Sequence, residues 1–330
     1  MKLKAPENFT EEERIRYYDC PENRREYLYG ARGGWEKFSG NPVLGGEFGT
    51  CFDMCVLRED RYKMWFSWRP HCGIGYTESA DGIHWDPPRL VLSPVPDSSF
   101  EPHEVTRPVV LFDAGVYKMW YGGHVRPYRE DGVSVLCYAE SADGVHWERP
   151  YPRPVLTPQG GWEQSAVMCP HVLHEGGRYR LWYSAGSNHE PDAIGYAESP
   201  DGLNWERGQA DPILTPDPAH PWEQHQVVAC QVLREGEFYY MFYVGHMHEE
   251  RAGVGIARSR DGVTGWEKCP ENPILSPTEG DWDSVSVYKP FVLREEDHWK
   301  LWYNGAQYQP GIWVFEQIGL ATYSGRGFGF

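Results

Sequence analysis

Asp53, Arg107 and Lys289 each interrupt a run of apolar, β-branched residues, in CFDMCVL, EVTRPVVL and VYKPFVL. Charged side chains are seldom buried without a partner, so these three are candidates for chemistry. Glu104 stands three residues before Arg107. Asp53 and Glu104 together could serve acid–base or nucleophilic steps. The plain alternative is that Asp53 bonds strand backbone and Glu104 pairs with Arg107. Arg107, Lys289 and Arg69, the last in WRPHCG, make the same place cationic and suit a phosphate or a carboxylate. His103, His124, His171, His225 and His246 fall near the same strand ends. Imidazoles converging from separate strands could bind a divalent cation, with His103, His124, His225 and His246 as donors. Hydrogen bonding is their ordinary alternative. Trp68, Tyr288, Tyr308 and Trp313 offer flat faces for stacking.

A repeat positions these residues. IGYAESPDGLNWER (194–207) recurs as IGYTESADGIHWD, LCYAESADGVHWER and VGIARSRDGVTGWEK. Each copy reads as a strand, a tight Asp-Gly turn and a second strand. Two more strand-like runs precede it, such as SAVMCPHVL and RYRLWYSAG. The first strands, ending at Leu57, Leu111, Leu173, Leu233 and Leu293, recur at intervals of about 60 residues. Fourth strands, marked by Trp85, Trp147, Trp205 and Trp266, follow only four of them. The missing one lies at the other end, where WEKFSGNPVL (35–44) matches WEKCPENPIL (266–275). The pattern predicts an all-β fold: a five-bladed β-propeller with four antiparallel strands per blade, closed by an N-terminal strand that completes the last blade. Residues 1–34 are an extension with a short helix over 10–18, opened by a Thr10/Glu13 capping box. Residues 35–330 form one propeller domain.

Strand direction places the first-strand starts, the second-strand ends and the variable two-three loops on one face. The Asp-Gly turns fall on the other. Aligned first strands put Asp53, Arg107, Cys169, Ala229 and Lys289 in one column. Scaffold demands would give like residues there, so unlike ones mark function. Glu101, Glu163, Glu223 and Asp283 do repeat, and read as strand-entry scaffold.

The 330 residues carry a formal charge of -17, which argues against nucleic acid and anionic membranes as partners. No apolar run is long enough for a membrane helix, and the N-terminus lacks the apolar segment of a signal peptide. Eight cysteines without a C-x-x-C pair fit reduced thiols. A cytoplasmic location is expected.

YKMWYGG, YRLWYSAG, IGYAESPDGLNWE and the NPVL or NPIL after strand four resemble the five-bladed glycosidase superfamily of arabinanases, β-xylosidases, fructosidases and mannoside phosphorylases, over residues 35–325. The resemblance implies an enzyme that cleaves a glycosidic bond in a small oligosaccharide or glycoside at the propeller axis, with no required cofactor. FDM puts Asp53 where the family carries its base or nucleophile, with Met54 replacing the usual Pro. Glu104 is the provisional acid. Arg69, Trp68, His103, Arg107, His124, His171, His225, His246, Tyr288 and Lys289 are the substrate-binding candidates. The segments that carry a second Asp and a Glu in the family's hydrolases read VMCPHV and VVACQV here. That departure keeps three alternatives open. One is an inverting phosphorylase whose cationic residues hold the phosphate nucleophile. Another is a non-catalytic sugar-binding propeller. The third is a metal-dependent sugar enzyme with a divalent cation at the axis.

Overall fold

The structure, a computed structural model, describes residues 5–6, 8–18, 20, 22–127, 130, 132–187, 190–309 and 312–330; the Trp313 side chain lies outside the described set. Helix Glu11–Tyr18 begins as expected. The Thr10 N–H donates to Glu13 Oε2 (2.8 Å) and the Glu13 N–H to Thr10 Oγ1 (3.3 Å), so two helix-start donors are satisfied reciprocally.

The rest is strand and turn. First strands are Cys51–Arg58, Glu104–Asp113, Ala166–Glu175, Gln226–Glu235 and Ser286–Arg294. Each pairs antiparallel with a second strand, and that with a third. Fourth strands are shorter than the aromatic pattern suggests. Trp147–Glu148, Glu206–Arg207 and Glu267–Lys268 have two residues each, and the first group uses Arg89–Leu92, beyond Trp85. Pro87 and Pro88 stand between and have no N–H for a ladder. Among the described residues the hydrogen-bonded sheets number four. The second and third groups join through a parallel bridge from Ser134 to Ala166.

Trp35–Lys37 pairs antiparallel with the last strand, Ile312–Tyr323. The two NP motifs explain why both ends of the chain carry the same phrase. Asn41 Nδ2 donates to the Leu320 carbonyl (2.9 Å) while the Leu320 N–H donates to Asn41 Oδ1 (2.8 Å). Asn272 makes the same two bonds with Ile256, at 2.9 and 2.8 Å. In each case a side-chain amide extends the ladder past the fourth strand.

The Asp-Gly phrase is held by neighbouring groups. The indole N–H of Trp65 donates to the Gly144 carbonyl (2.8 Å), Trp120 to Gly202 (2.7 Å), Trp182 to Gly262 (2.8 Å) and Trp302 to Gly82 (2.9 Å). These second-strand indoles are fully buried, so each bond replaces water that both groups lose on folding. Gly202 has φ +77°, and a Cβ there would meet Trp120 Cζ2 at 2.8 Å. Gly177 has nearly the same φ, +75°, with no atom within 4 Å of its would-be Cβ. Gly177→Ala is therefore expected to cost about 1–2 kcal/mol from the left-handed backbone alone. Gly202→Ala should cost at least about 1 kcal/mol more, through displacement of the indole. Urea unfolding of the two variants measures the difference.

The repeated acids bond within their own groups. Glu101 accepts from Tyr121 OH (2.8 Å) and faces Arg149 (3.0 Å). Glu163 accepts from Tyr183 and Arg207, at 2.7 and 2.6 Å. Glu223 holds Tyr243 and Lys268, at 2.9 and 2.7 Å. Asp283 holds Tyr303 at 3.4 Å and Lys37 at 2.5 Å. Lys37 comes from the N-terminal strand and takes the place that a fourth-strand cation fills elsewhere. The first group has Phe66 where the others have Tyr, and its corresponding Glu47 is exposed.

Candidate active site

Every first strand carries one extra residue against its partner, between Phe52 and Cys55, Thr106 and Val109, Met168 and His171, Val228 and Gln231, and Tyr288 and Phe291. At each of these bulges the column residue is left-handed: Asp53 φ 51°, Arg107 57°, Cys169 50°, Ala229 50° and Lys289 48°. Such backbone costs about 1–3 kcal/mol in a residue other than glycine, and bulges re-aim side chains. Ala229 shares the conformation, so the kink belongs to the scaffold and the side-chain identities to the site. The bulge frees an N–H from the ladder, and a second-strand side chain of the adjoining group accepts it. Asn304 Oδ1 takes that of Asp53 (3.0 Å), Ser67 Oγ that of Arg107 (2.7 Å) and Ser184 Oγ that of Ala229 (2.8 Å).

Asp53 is buried, with Oδ2 3.2 Å from Arg107 Nε and Oδ1 accepting from Asn304 Nδ2 at 3.0 Å. Glu104 is buried as well, and pairs with Arg69 (3.8 Å) where the sequence suggested Arg107. Burial pushes its carboxyl above the ordinary value; Glu316 and Asp53 push the same way, against Arg69 and Arg107. Arg69 also grips Glu316 Oε2 through Nη2 (3.1 Å) and Nε (3.3 Å). Tyr288 OH donates to Glu316 Oε1, and burial beside Glu316 and Asp53 raises that phenol well above its usual range. Cys169 lies close to Arg107, Asp53 and Lys289, its thiol raised by burial. Three carboxylates and three cations thus meet where unlike residues were expected to meet.

Glu316 is the residue that alignment of first and second strands misses. Aligned third strands put Cys72, Ser134, Asp192, Ala252 and Glu316 in one column, and that comparison shows it.

The histidines do not gather. His103 is exposed. His124 is buried behind the site, with Nε2 2.7 Å from Thr106 Oγ1 and 3.4 Å from Arg107 Nη1, and Nδ1 2.8 Å from Ser134 Oγ. It positions Arg107. His225 and His246 lie together with His248, beneath the N-terminal segment. Among the described residues the four-histidine metal set is therefore not assembled: His124 sits with Thr106 and Ser134, and His225 and His246 sit with His248. Among the described residues one acid–imidazole cluster is tight enough to share an ion, Asp217, His220 and Glu223; there Lys268 Nζ already sits 2.7 Å from Glu223. Trp68 is at the rim, its indole bonded to the Phe48 carbonyl (2.8 Å).

His171 is a correction of another kind. Its Nε2 lies 2.7 Å from the Val232 carbonyl, on the adjoining group. Gln231, in the same column one group on, donates to the Val292 carbonyl at 2.9 Å. The position is a clasp between groups. Burial, with Lys289 nearby, lowers the imidazole pKa to about 3. The unfolded chain binds this proton below about pH 6.5 and the folded chain does not. Stability is therefore present above that pH and is lost as pH falls toward 3. His171→Gln should keep its stability at pH 7 and lose less than the parent between pH 6.5 and 4, as read from unfolding midpoints.

Comparison with known proteins agrees with this architecture. Residues 54–212 match the model of the glycosyl hydrolases family 32 N-terminal domain. A solved glycoside hydrolase superposes over 97% of both chains with a TM-score of 0.71 at 17% identity. The chain shares its fold with solved glycoside hydrolases. A thermostable family-43 glycoside hydrolase superposes over 84% of this chain and 91% of its own (TM-score 0.67, 21% identity). In sequence it is 32% identical over 162 residues to an uncharacterized protein of Mycobacterium tuberculosis, 48% of this chain and 51% of that one. It is 31% identical over 108 residues to a β-1,2-mannobiose phosphorylase of Thermoanaerobacter, 28% of this chain and 35% of that one. The chain spans about half the length of the first of these relatives, and no helix among its described residues is long and apolar enough to cross a membrane.

Proposed function

We propose that this chain is a carbohydrate-active enzyme that cleaves a glycosidic bond in a small oligosaccharide or glycoside, at the axis of a closed five-bladed propeller. Bonds from the last strand group to the first support the ring: Trp302 to Gly82, Tyr62 to Glu295 and Asn304 to Asp53. The observation that carries the function is a pair of carboxyl groups in unlike settings within one cluster. Asp53 is ion-paired with Arg107, whereas burial raises Glu104. A carboxyl held protonated by burial, beside one held by an arginine, can divide acid and base between them. Glu104 gives its proton to the leaving glycosidic oxygen, and Asp53 takes one from the attacking water. Tyr288 and Arg69 hold Glu316 as a third acceptor for sugar hydroxyls.

Phosphorolysis is the second reading. Arg69, with 31% of its side chain exposed, beside half-buried Arg107 and buried Lys289, can take a phosphate, and the mannobiose phosphorylase likeness favours it. The test is product analysis on aryl glycosides and β-1,2-mannobiose, with and without inorganic phosphate. A sugar phosphate formed only with phosphate establishes phosphorolysis, and free sugar without it establishes hydrolysis. No turnover of either substrate class, with sugar still bound, leaves the sugar-binding alternative. The eight free thiols support a reducing, cytoplasmic setting.

A further inference from the structure

The N-terminal extension packs onto the loop that joins the second and third strands of the fourth group. Arg14 Nη1 and Tyr18 OH both bond Glu249 Oε1, at 2.8 and 2.7 Å, and Tyr18 stacks on His248 with ring centroids 4.0 Å apart. Arg251, nearly buried, donates to the Leu28 carbonyl (2.8 Å), and its guanidinium lies over the Tyr27 and Tyr29 rings at 4.1 and 4.8 Å. The extension is thereby fixed as a wall. Between it and the strand ends lies a cavity of about 300 Å³, lined by Tyr29, Arg24, Val285 and Tyr308 among others. That volume is at the small end for ligand sites and suits one or two sugar rings.

Strand register ties this cavity to the active site. The Val285 N–H donates to the Ala306 carbonyl (3.0 Å), and Ala306 is the cross-strand partner of Glu316. Tyr308 is two residues further along the same strand, so its side chain leaves the same face as Ala306 and Glu316. At about 3.3 Å per residue it stands about 7 Å beyond the Glu316 row. That is one sugar unit along a chain whose first ring contacts Glu316. The lining suits sugar chemistry too. Arg24 Nη2 is shared between Tyr29 OH (2.8 Å) and Glu279 (2.9 Å), giving charged donors and acceptors beside aromatic faces.

We propose that this cavity is a second sugar subsite, built by the N-terminal extension, which takes the unit next to the one held at Glu316 and Asp53. The proposal rests on the carbohydrate reading above, and binding rather than turnover tests it. Calorimetry on the full chain compares β-1,2-mannobiose, β-1,4-xylobiose and α-1,5-arabinobiose with their monosaccharides. At least one disaccharide is expected to bind about tenfold tighter than its monosaccharide. Tyr308→Ala and Arg24→Ala should each erase that preference and leave monosaccharide affinity unchanged; should one variant not fold, the other carries the comparison. Equal affinity for every disaccharide and its monosaccharide overturns the proposal, as does a preference that survives substitution. Cleavage of the same disaccharides, scored separately, reports on the catalytic reading alone.

Discussion

Asp53→Asn is expected to lower kcat by about 10³-fold, within the 10²–10⁴ attributed to a positioned acid or base, on any glycoside that the unaltered chain turns over. Dissociation constants should change little. Asn preserves the volume, accepts the left-handed backbone at φ 51° better than most residues, and keeps an oxygen for Asn304 Nδ2. What it removes is the negative charge opposite Arg107 Nε. A half-buried arginine that loses its partner costs some stability, so rates belong well below the variant's unfolding midpoint. Loss of sugar binding in step with rate would assign Asp53 to holding the scaffold.

Glu104→Gln carries the second large effect. A protonated acid is needed only when the leaving group is poor. The variant should lose about 10²-fold or more in kcat on disaccharides and much less on nitrophenyl glycosides, whose leaving group departs without a proton. The pH profile supplies an independent reading. Burial raises the Glu104 carboxyl, so the active protonated form persists to higher pH than for an exposed glutamate. Activity then falls as pH rises through that raised pKa, which makes this group the basic limb of the profile. In Glu104→Gln that limb should flatten. An unchanged basic limb, or equal loss on both substrate classes, transfers the acid role to Glu316.

The scaffold was legible because it repeats. The Asp-Gly phrase reports a glycine at positive φ beneath a neighbouring indole, and the acids before the first strands report a Tyr and a cation within their own group. Physical demands that recur leave recurring residues. The Asp53–Arg107–Lys289 column was legible for the opposite reason, since those side chains depart from a repeated frame. Glu316 escaped because its departure lies in the third strand. The histidines misled because equal positions in a repeat share a backbone place but not a direction of approach. His124 turns to Ser134, while His246 sits with His225 and His248. The docking of that segment was not legible, since residues 5–34 have no counterpart in the repeat, and the Arg251 contacts that hold them span more than 200 positions of sequence. His171 was read as a ligand residue for want of one comparison, with Gln231 at the same clasp.

The most direct measurement is a crystal structure of Asp53→Asn soaked with β-1,2-mannobiose or with whichever disaccharide the calorimetry selects. A glycosidic oxygen within hydrogen-bonding distance of Glu104, with the substituted side chain on the opposite side of the anomeric carbon, is the predicted result. Sugar bound elsewhere, with Arg69, Arg107 and Glu104 still closed on one another, would contradict the account.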